Sequence, residues 1–129
     1  MAIDKIESAG LATSTNQPNF RNIIINGDMS IAQRGTSSTS NGYCLDRFTM
    51  DESTDGAVTV SQDTTVPSGQ GFAKSLKVDV TTADSSIAAA QYCGFTQFIE
   101  GQNLQYLKYG TSSAESLTLS FWVRSTKTG

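Results

Sequence analysis

Apolar residues occupy every second position in one stretch near the end of the chain. The alternation runs through Leu117, Leu119, Phe121 and Val123. Because successive side chains of a strand point to opposite faces, this pattern predicts a β-strand with one face in a core. Phe121 is therefore expected in the interior, where replacement by alanine would cost about 3–5 kcal/mol. Trp122 is expected on the opposite face.

Shorter runs that alternate, or that contain several β-branched residues, recur along the chain. They occupy residues 23–25, 29–34, 43–50, 57–62, 75–80 and 86–100, with turn-forming residues between them. In the last of these, the alanines at 88–90 favour a helix, but the following aromatic residues favour a strand with a bend, which we predict. Residues 103–109 predict one short helical turn. About seven strands separated by turns predict an all-β fold, a jelly-roll-like antiparallel β-sandwich over residues 21–129.

The first 20 residues have a different composition from the rest. Ile3, Ile6 and Leu11 supply apolar side chains, and a polar linker that contains Pro18 follows at residues 13–19. One interpretation is a disordered tail. The other is an extended N-terminal arm that becomes ordered on a partner and attaches through the three apolar residues. The expected organisation is an arm and linker over residues 1–20, followed by the sandwich.

Charge and composition argue against several classes of function. A formal net charge of −3 and a pI near 4.7 argue against nucleic-acid binding, which needs a basic face. No apolar run reaches the roughly 18 residues of a membrane-spanning helix. The chain has no histidine, which removes Ser-His-Asp and Cys-His arrangements and histidine-bound metals. Most carboxylates lie in turn sequences, so we predict no enzymatic activity and no cofactor.

Two pairs of residues are expected to be structural. Cys44 and Cys93 are the only cysteines, and both lie in strand-like sequence. Free cysteine is among the most buried residue types, so two reduced core thiols are expected rather than a disulfide. Asp46 and Arg47 are adjacent within a predicted strand and face opposite sides, so one of them is expected to be enclosed and paired.

Two further groups are candidates for ligand binding. Asn26 and Asp28 lie at a predicted sharp corner, where their oxygens could hold a structural calcium ion. The alternative, which we favour, is that they cap the corner with side-chain to backbone bonds. Trp122, with Tyr106 and Tyr109 in the preceding loop, could stack on a sugar or pack at an interface between chains. For these aromatic residues we favour packing.

Three segments of the chain resemble virion structural and tail-fibre proteins of tailed bacteriophages. They are NIIINGDMSIAQRG at residues 22–35, YCLDRF at 43–48 and LTLSFWVR at 117–124. The first is also similar, more distantly, to the opening of jelly-roll carbohydrate-binding modules, which often hold a structural calcium near their first strand. In the phage proteins the Asp-Arg pair is often followed by tryptophan, whereas this chain has Phe48.

The resemblance implies a tail fibre or tail-associated appendage that attaches to the particle through its N-terminal arm and supports host recognition. It implies a homotrimer, contacts with other virion tail proteins, a location in the virion tail and assembly in the host cytoplasm. In the related proteins the sandwich continues further, so we expect this chain to be the N-terminal portion of a larger jelly roll. The alternatives are a carbohydrate-binding module that holds a host surface glycan and a capsid decoration protein.

Overall fold

The computed structural model describes residues 22–127. In that range the chain forms six strands and one 3₁₀ helix. The strands are β1 (Ser37–Ser38), β2 (Gly42–Leu45), β3 (Phe48–Ser53), β4 (Ala57–Asp63), β5 (Ser75–Thr82) and β6 (Tyr92–Thr96), and the 3₁₀ helix is Gly101–Leu107. Every strand pair is antiparallel. The chain is an all-β sandwich, as the alternation predicted.

The strands form two three-stranded sheets, with the orders β1-β4-β5 and β2-β3-β6. The inward side chains of the two sheets meet in a small core. Its members are Cys44, Met50, Val58 and Val60, with Phe48 and Leu76 partly buried against them. Strands β4 and β5 match the predicted runs 57–62 and 75–80 closely, because β-branched valines recur at every second position in both. The valines of β4 lie in the core, whereas Val78 and Val80 of β5 are exposed.

The predicted single strand at residues 43–50 is a hairpin. Leu45 of β2 pairs with Phe48 of β3, and the chain reverses at Asp46 and Arg47. Arg47 has a φ of 75°, in the left-handed region. The carboxylate of Asp46 accepts a hydrogen bond from the backbone N–H of Gln33, which ties the reversal to the preceding segment. Aspartate is common in turns because its side chain can bind nearby backbone groups, and here a turn interrupts the strand pattern.

The predicted corner at residues 26–28 is present, but the strands expected on both sides of it are not. Asn26 has a φ of 59°, and the N–H of Met29 donates to the carbonyl of Asn26 at 3.0 Å. The Gln97 side chain binds both backbone groups of Ile25, accepting from its N–H at 2.8 Å and donating to its carbonyl at 2.7 Å. A side-chain amide therefore takes the place of a partner strand at this point.

The long strand predicted at residues 86–100 is reduced to β6. Gln91 closes a turn before β6, because its N–H donates to the Ala88 carbonyl and its side-chain oxygen accepts from the Ala88 N–H. The predicted helical turn corresponds to the 3₁₀ helix, which ends at Lys108 with a φ of 52°. Among the residues described, no helix is long and apolar enough to cross a membrane.

The strand predicted most clearly, at residues 117–123, is not part of either sheet. Phe121, expected in the interior, is 72% exposed, and its alternate neighbours are also exposed. The prediction of a buried face was therefore wrong within the described structure. Alternation specifies that one face of a segment is apolar, but it does not specify which strand the segment pairs with.

Candidate interaction surfaces

The first candidate surface is the stretch of residues 117–123, called here the apolar segment. Five of its side chains are large, apolar and exposed: Leu117, Leu119, Phe121, Trp122 and Val123. The segment contains no charged residue. Exposed apolar side chains that are contiguous, rather than scattered singly, mark sites of interaction with other molecules.

The start of the apolar segment is held beside the 3₁₀ helix. The backbone N–H of Glu115 donates to the carbonyl of Leu107 at 2.9 Å. Lys108 Nζ lies 3.1 Å from the Glu115 carboxylate, and both side chains are more than half exposed. Exposed ion pairs of this kind stabilise little, so the ion pair adds little to the backbone hydrogen bond.

The first half of the apolar segment borders a cleft of about 1030 Å³. Leu117 to Ser120 line this cleft together with Ile23 and Ile24. Ile99, Tyr106 and Leu107 complete most of the apolar lining. The cleft thus brings together the first and the third of the segments that carry the sequence resemblance.

A second, smaller groove of about 400 Å³ lies where the two sheets are open to solvent. Val58 and Val80 line it from the first sheet, and Tyr92 and Cys93 line it from the second. Ile87, from the connection between β5 and β6, lies beside them. Val80 is 64% exposed although its register partner Val58 is buried. The sequence carries no signal for this groove, because no local pattern reveals which inward side chains lack a neighbour.

Strand β6 is one edge of its sheet, since it pairs only with β3 among the described strands. Cys93 pairs with Glu52, and Phe95 pairs with the buried Met50. Directly paired residues point to the same face, so Cys93 and Phe95 lie on the inner face of the sandwich. Both are nevertheless exposed. The inner face therefore lacks cover at this edge.

The candidate calcium residues are engaged in hydrogen bonds at the corner. Asn26 donates through Nδ2 to the carbonyls of Ile31 at 3.0 Å and Asp46 at 2.9 Å, and its Oδ1 accepts from the Ile31 N–H. Asp28 Oδ1 accepts from the hydroxyl of Ser30 at 3.1 Å. This is the corner-capping arrangement described as the alternative. A calcium ion at this corner stays a prediction.

The charged pair at the β2–β3 reversal has the expected structural role, although neither member is fully enclosed. The guanidinium of Arg47 contacts both carboxylate oxygens of Glu100, at 2.8 and 3.0 Å. This contact holds the pKa of Glu100 below its usual value. The pair joins the hairpin to the residue that precedes the 3₁₀ helix. Both side chains are more than one third exposed, so the pair positions the loop more than it stabilises the fold.

The three aromatic residues predicted to contact a glycan or an interface do not form one group. Tyr106 lies in the wall of the larger cleft. Tyr109 and Trp122 are exposed and lie outside that lining. Each of the two exposed rings is accessible to another molecule. Stacking on sugar and packing against a protein both stay predictions.

The two thiols differ in exposure. Both are free, with Cys44 buried in the core and Cys93 exposed on β6. The expectation of two inaccessible thiols was therefore wrong for Cys93, because no described strand covers β6 on that side. Partial burial raises the pKa of the Cys93 thiol, and the negative charge of the neighbouring Glu52 adds to the effect.

The remaining perturbed groups are dispersed and belong to turns and strand pairs. Asp63 has a lowered pKa because the N–H of Thr65 donates to its carboxylate. Asp84 likewise has a lowered pKa, with the N–H of Ser86 as the largest cause. The hydroxyl of Tyr92 donates to Asp51 at 3.1 Å, and this bond raises the Tyr92 pKa. Within residues 22–127, no three or more acidic or cysteine side chains are grouped so that they could hold a metal ion.

Comparison of the chain with protein-family models, with curated proteins and with solved structures finds no match.

The proposed attachment residues Ile3, Ile6 and Leu11 lie outside the described residues, as does the rest of the predicted arm. A functional assignment therefore depends on the surfaces described above and on the sequence resemblance.

Proposed function

We propose that this chain is a structural component of a bacteriophage virion, a tail fibre or tail-associated appendage that works by assembly with neighbouring chains. The observation that carries the proposal is the amount of apolar surface that the described fold leaves in contact with water. Contiguous exposed apolar surface marks a site of interaction, and neighbouring chains of an assembly would cover it.

The imbalance between buried and exposed apolar side chains is large. Within the described residues, six apolar residues are buried, whereas 16 large apolar residues are exposed. Single exposed apolar residues are ordinary, but here they are concentrated in the apolar segment and along the edges of both sheets. A subunit of a large assembly would bury such a surface against its neighbours, and this supports the proposal.

The relative positions of the three resembling segments also support the proposal. The first and second segments are hydrogen-bonded, since Asn26 donates to the Asp46 carbonyl at 2.9 Å and Gln33 donates to the Asp46 carboxylate. The first and third line the same cleft through Ile24 and Leu117. Segments far apart in sequence thus form one continuous region, as expected if they constitute one structural unit of a family.

In this proposal the N-terminal arm attaches the chain to other tail proteins through Ile3, Ile6 and Leu11. The sandwich associates with copies of itself, as a homotrimer by analogy with the phage proteins it resembles. Host recognition is supported by the assembled appendage.

Imaging of particles tests the proposal. Virions are purified from the cells that encode the chain, labelled with a gold-conjugated antibody raised against residues 22–127, and imaged by electron microscopy. We expect gold at the tail or at its appendages. Gold distributed over the head would indicate a capsid decoration protein instead. Particles without label, with the chain present only in the soluble fraction, would contradict the proposal.

Glycan binding is a second candidate function, because Trp122 is 65% exposed and a tyrosine lies in the nearby cleft wall. A flat, exposed aromatic ring can stack on the C–H face of a sugar. A glycan array compares the native chain with Trp122→Ala and with Tyr43→Ala, which removes a different exposed aromatic ring on β2. Binding that is lost only with Trp122→Ala would favour this function. No binding by the native chain would exclude it for the glycans present.

A further inference from the structure

We infer that the apolar segment of one copy of this chain adds as an extra strand to the free edge of β6 in a second copy. The inference rests on the proposed function, because it names the partner and the contact through which the assembly forms. The donor is residues 117–123, and the acceptor is the edge of β6 together with the groove between the two sheets. Adding a strand to an exposed edge is a recurring mode of protein recognition.

The donor has the properties of a strand without a partner. Its side chains alternate, with Leu119 and Phe121 on the apolar face and Ser120 between them on the other. At about 3.3 Å per residue, its seven residues span about 23 Å, enough to cover β6 from end to end. Its backbone lies in neither sheet, and its apolar side chains are exposed.

The acceptor has the complementary properties. The outer edge of β6 is unpaired among the described strands, so its outward N–H and C=O groups are available to another strand. Cys93 and Phe95 on its inner face, and Val80 across the groove, are exposed apolar side chains. A strand added here would place its apolar face between the sheets, over these three side chains.

We favour a second copy as the source of the added strand, because the chain's own segment lies at a different site. Residues 117–120 line the larger cleft beside Ile23 and Ile24, and the linings of the cleft and the groove share no residue. In the folded chain the donor is therefore exposed while its own acceptor groove is open. A molecule that presents both a donor and an empty acceptor can exchange the segment with an identical molecule without unfolding its core. The ion pair next to the segment, between Lys108 and Glu115, is exposed and therefore contributes little to holding the segment in its present position.

The exchange is tested first with the native chain, by measuring molar mass with light scattering across a wide range of concentration. The reactivity of Cys93 with a thiol reagent is measured at the same concentrations. Cys93 lies in the acceptor groove, so a bound strand should protect it, whereas the buried Cys44 serves as an internal control. For a two-copy exchange at about ten times the dissociation constant, about one fifth of the sites are free, so labelling should slow about fivefold.

Matched variants separate strand exchange from unspecific association. Phe121→Lys places a charge on the apolar face of the donor and should abolish association. Ser120→Lys adds the same charge to the opposite face and should leave association intact. Val80→Lys blocks the acceptor. All three positions are exposed, so circular dichroism should show an unchanged fold.

Mixing the variants gives the decisive result. Phe121→Lys lacks a donor but keeps its acceptor, whereas Val80→Lys lacks an acceptor but keeps its donor. Each alone should be a monomer, and the mixture should form a complex of one copy of each. A native chain that is monomeric at every concentration would overturn the inference. An oligomer unaffected by Phe121→Lys, or a monomer whose residues 117–123 are protected from hydrogen exchange, would also overturn it.

These results are independent of the virion experiment. If the chain is found on phage tails but is monomeric in solution, the strand-exchange inference is wrong and the proposed function still holds. If the chain exchanges strands in solution but is missing from particles, the proposed function is wrong and strand exchange still holds.

Discussion

Met50→Ala, compared with Phe121→Ala, tests where the core of this sandwich lies. Met50 is 1% exposed at the centre of the cluster formed by Cys44, Val58 and Val60. Phe121 is the larger side chain, and sequence alternation alone would place it inside. The structure instead predicts that the smaller truncation is the more damaging one.

The expected losses follow from burial. Met50→Ala removes three buried heavy atoms, and at about 0.8 kcal/mol for each methylene-sized group the lost transfer free energy is about 2.4 kcal/mol. The cavity left between the two sheets adds to this, so we expect a loss of about 3 kcal/mol. Phe121→Ala removes a ring that is 72% exposed, and its loss should stay within about 0.5 kcal/mol.

The assay is urea denaturation followed by circular dichroism, at a protein concentration low enough that association between copies does not contribute. Equal slopes with different midpoints would show that the variants differ in stability rather than in the extent of unfolding. If Phe121→Ala lost as much stability as Met50→Ala in dilute solution, residues 117–123 would be packed inside their own chain. That result would refute the core assignment made here.

Three further predictions concern the backbone, an ion pair and a thiol. Gly56→Ala should destabilise the fold by about 1–3 kcal/mol, because its Cβ would lie 2.7 Å from a backbone oxygen of β5, whereas Gly101→Ala meets open space and should be tolerated in the same melts. Arg47→Ala should raise the pKa of Glu100 in an NMR titration. Arg47 lowers the pKa of Glu100 in the folded state. The pair therefore stabilises the fold at pH values above the pKa that Glu100 has in the unfolded chain. This stabilisation is lost as the pH falls through the lower pKa that Glu100 has in the folded chain. Cys93 of the dilute monomer should react with a thiol reagent before the buried cysteine of β2. Because the Cys93 pKa is raised, its reaction rate should continue to increase with pH after the rate of an ordinary thiol has become constant.

The β4–β5 pair shows which part of the fold could be predicted from the sequence. Val58 and Val60 alternate with polar residues, as do Val78 and Val80, and the intervening loop is rich in turn-forming residues. Propensity, alternation and proximity in the chain all favour the same antiparallel ladder. Where these local signals agree, the strand boundaries predicted from sequence differ from the observed ones by one or two residues.

Other parts depend on single side chains that satisfy the backbone from a distance. Gln97 binds both backbone groups of Ile25, a residue 72 positions earlier, and so replaces the strand partner that the isoleucine run was expected to have. Asp46 fixes a reversal in the middle of a run that otherwise has strand character. Such contacts depend on the tertiary fold. No local periodicity in the sequence encodes them.

Residues 117–123 are a different case, because their pattern was identified correctly and their partner was not. Alternation alone does not distinguish the edge of β6 in the segment's own chain from the same edge in a second copy, since pairing with either edge would bury Phe121 and leave Trp122 on the outer face. The two arrangements differ in how they depend on concentration. Pairing within one chain has an effective concentration fixed by the connecting loop, whereas pairing between copies weakens on dilution. Protection of Cys93 that disappears on dilution would therefore assign the segment to a second copy, and protection that persists would assign it to its own chain.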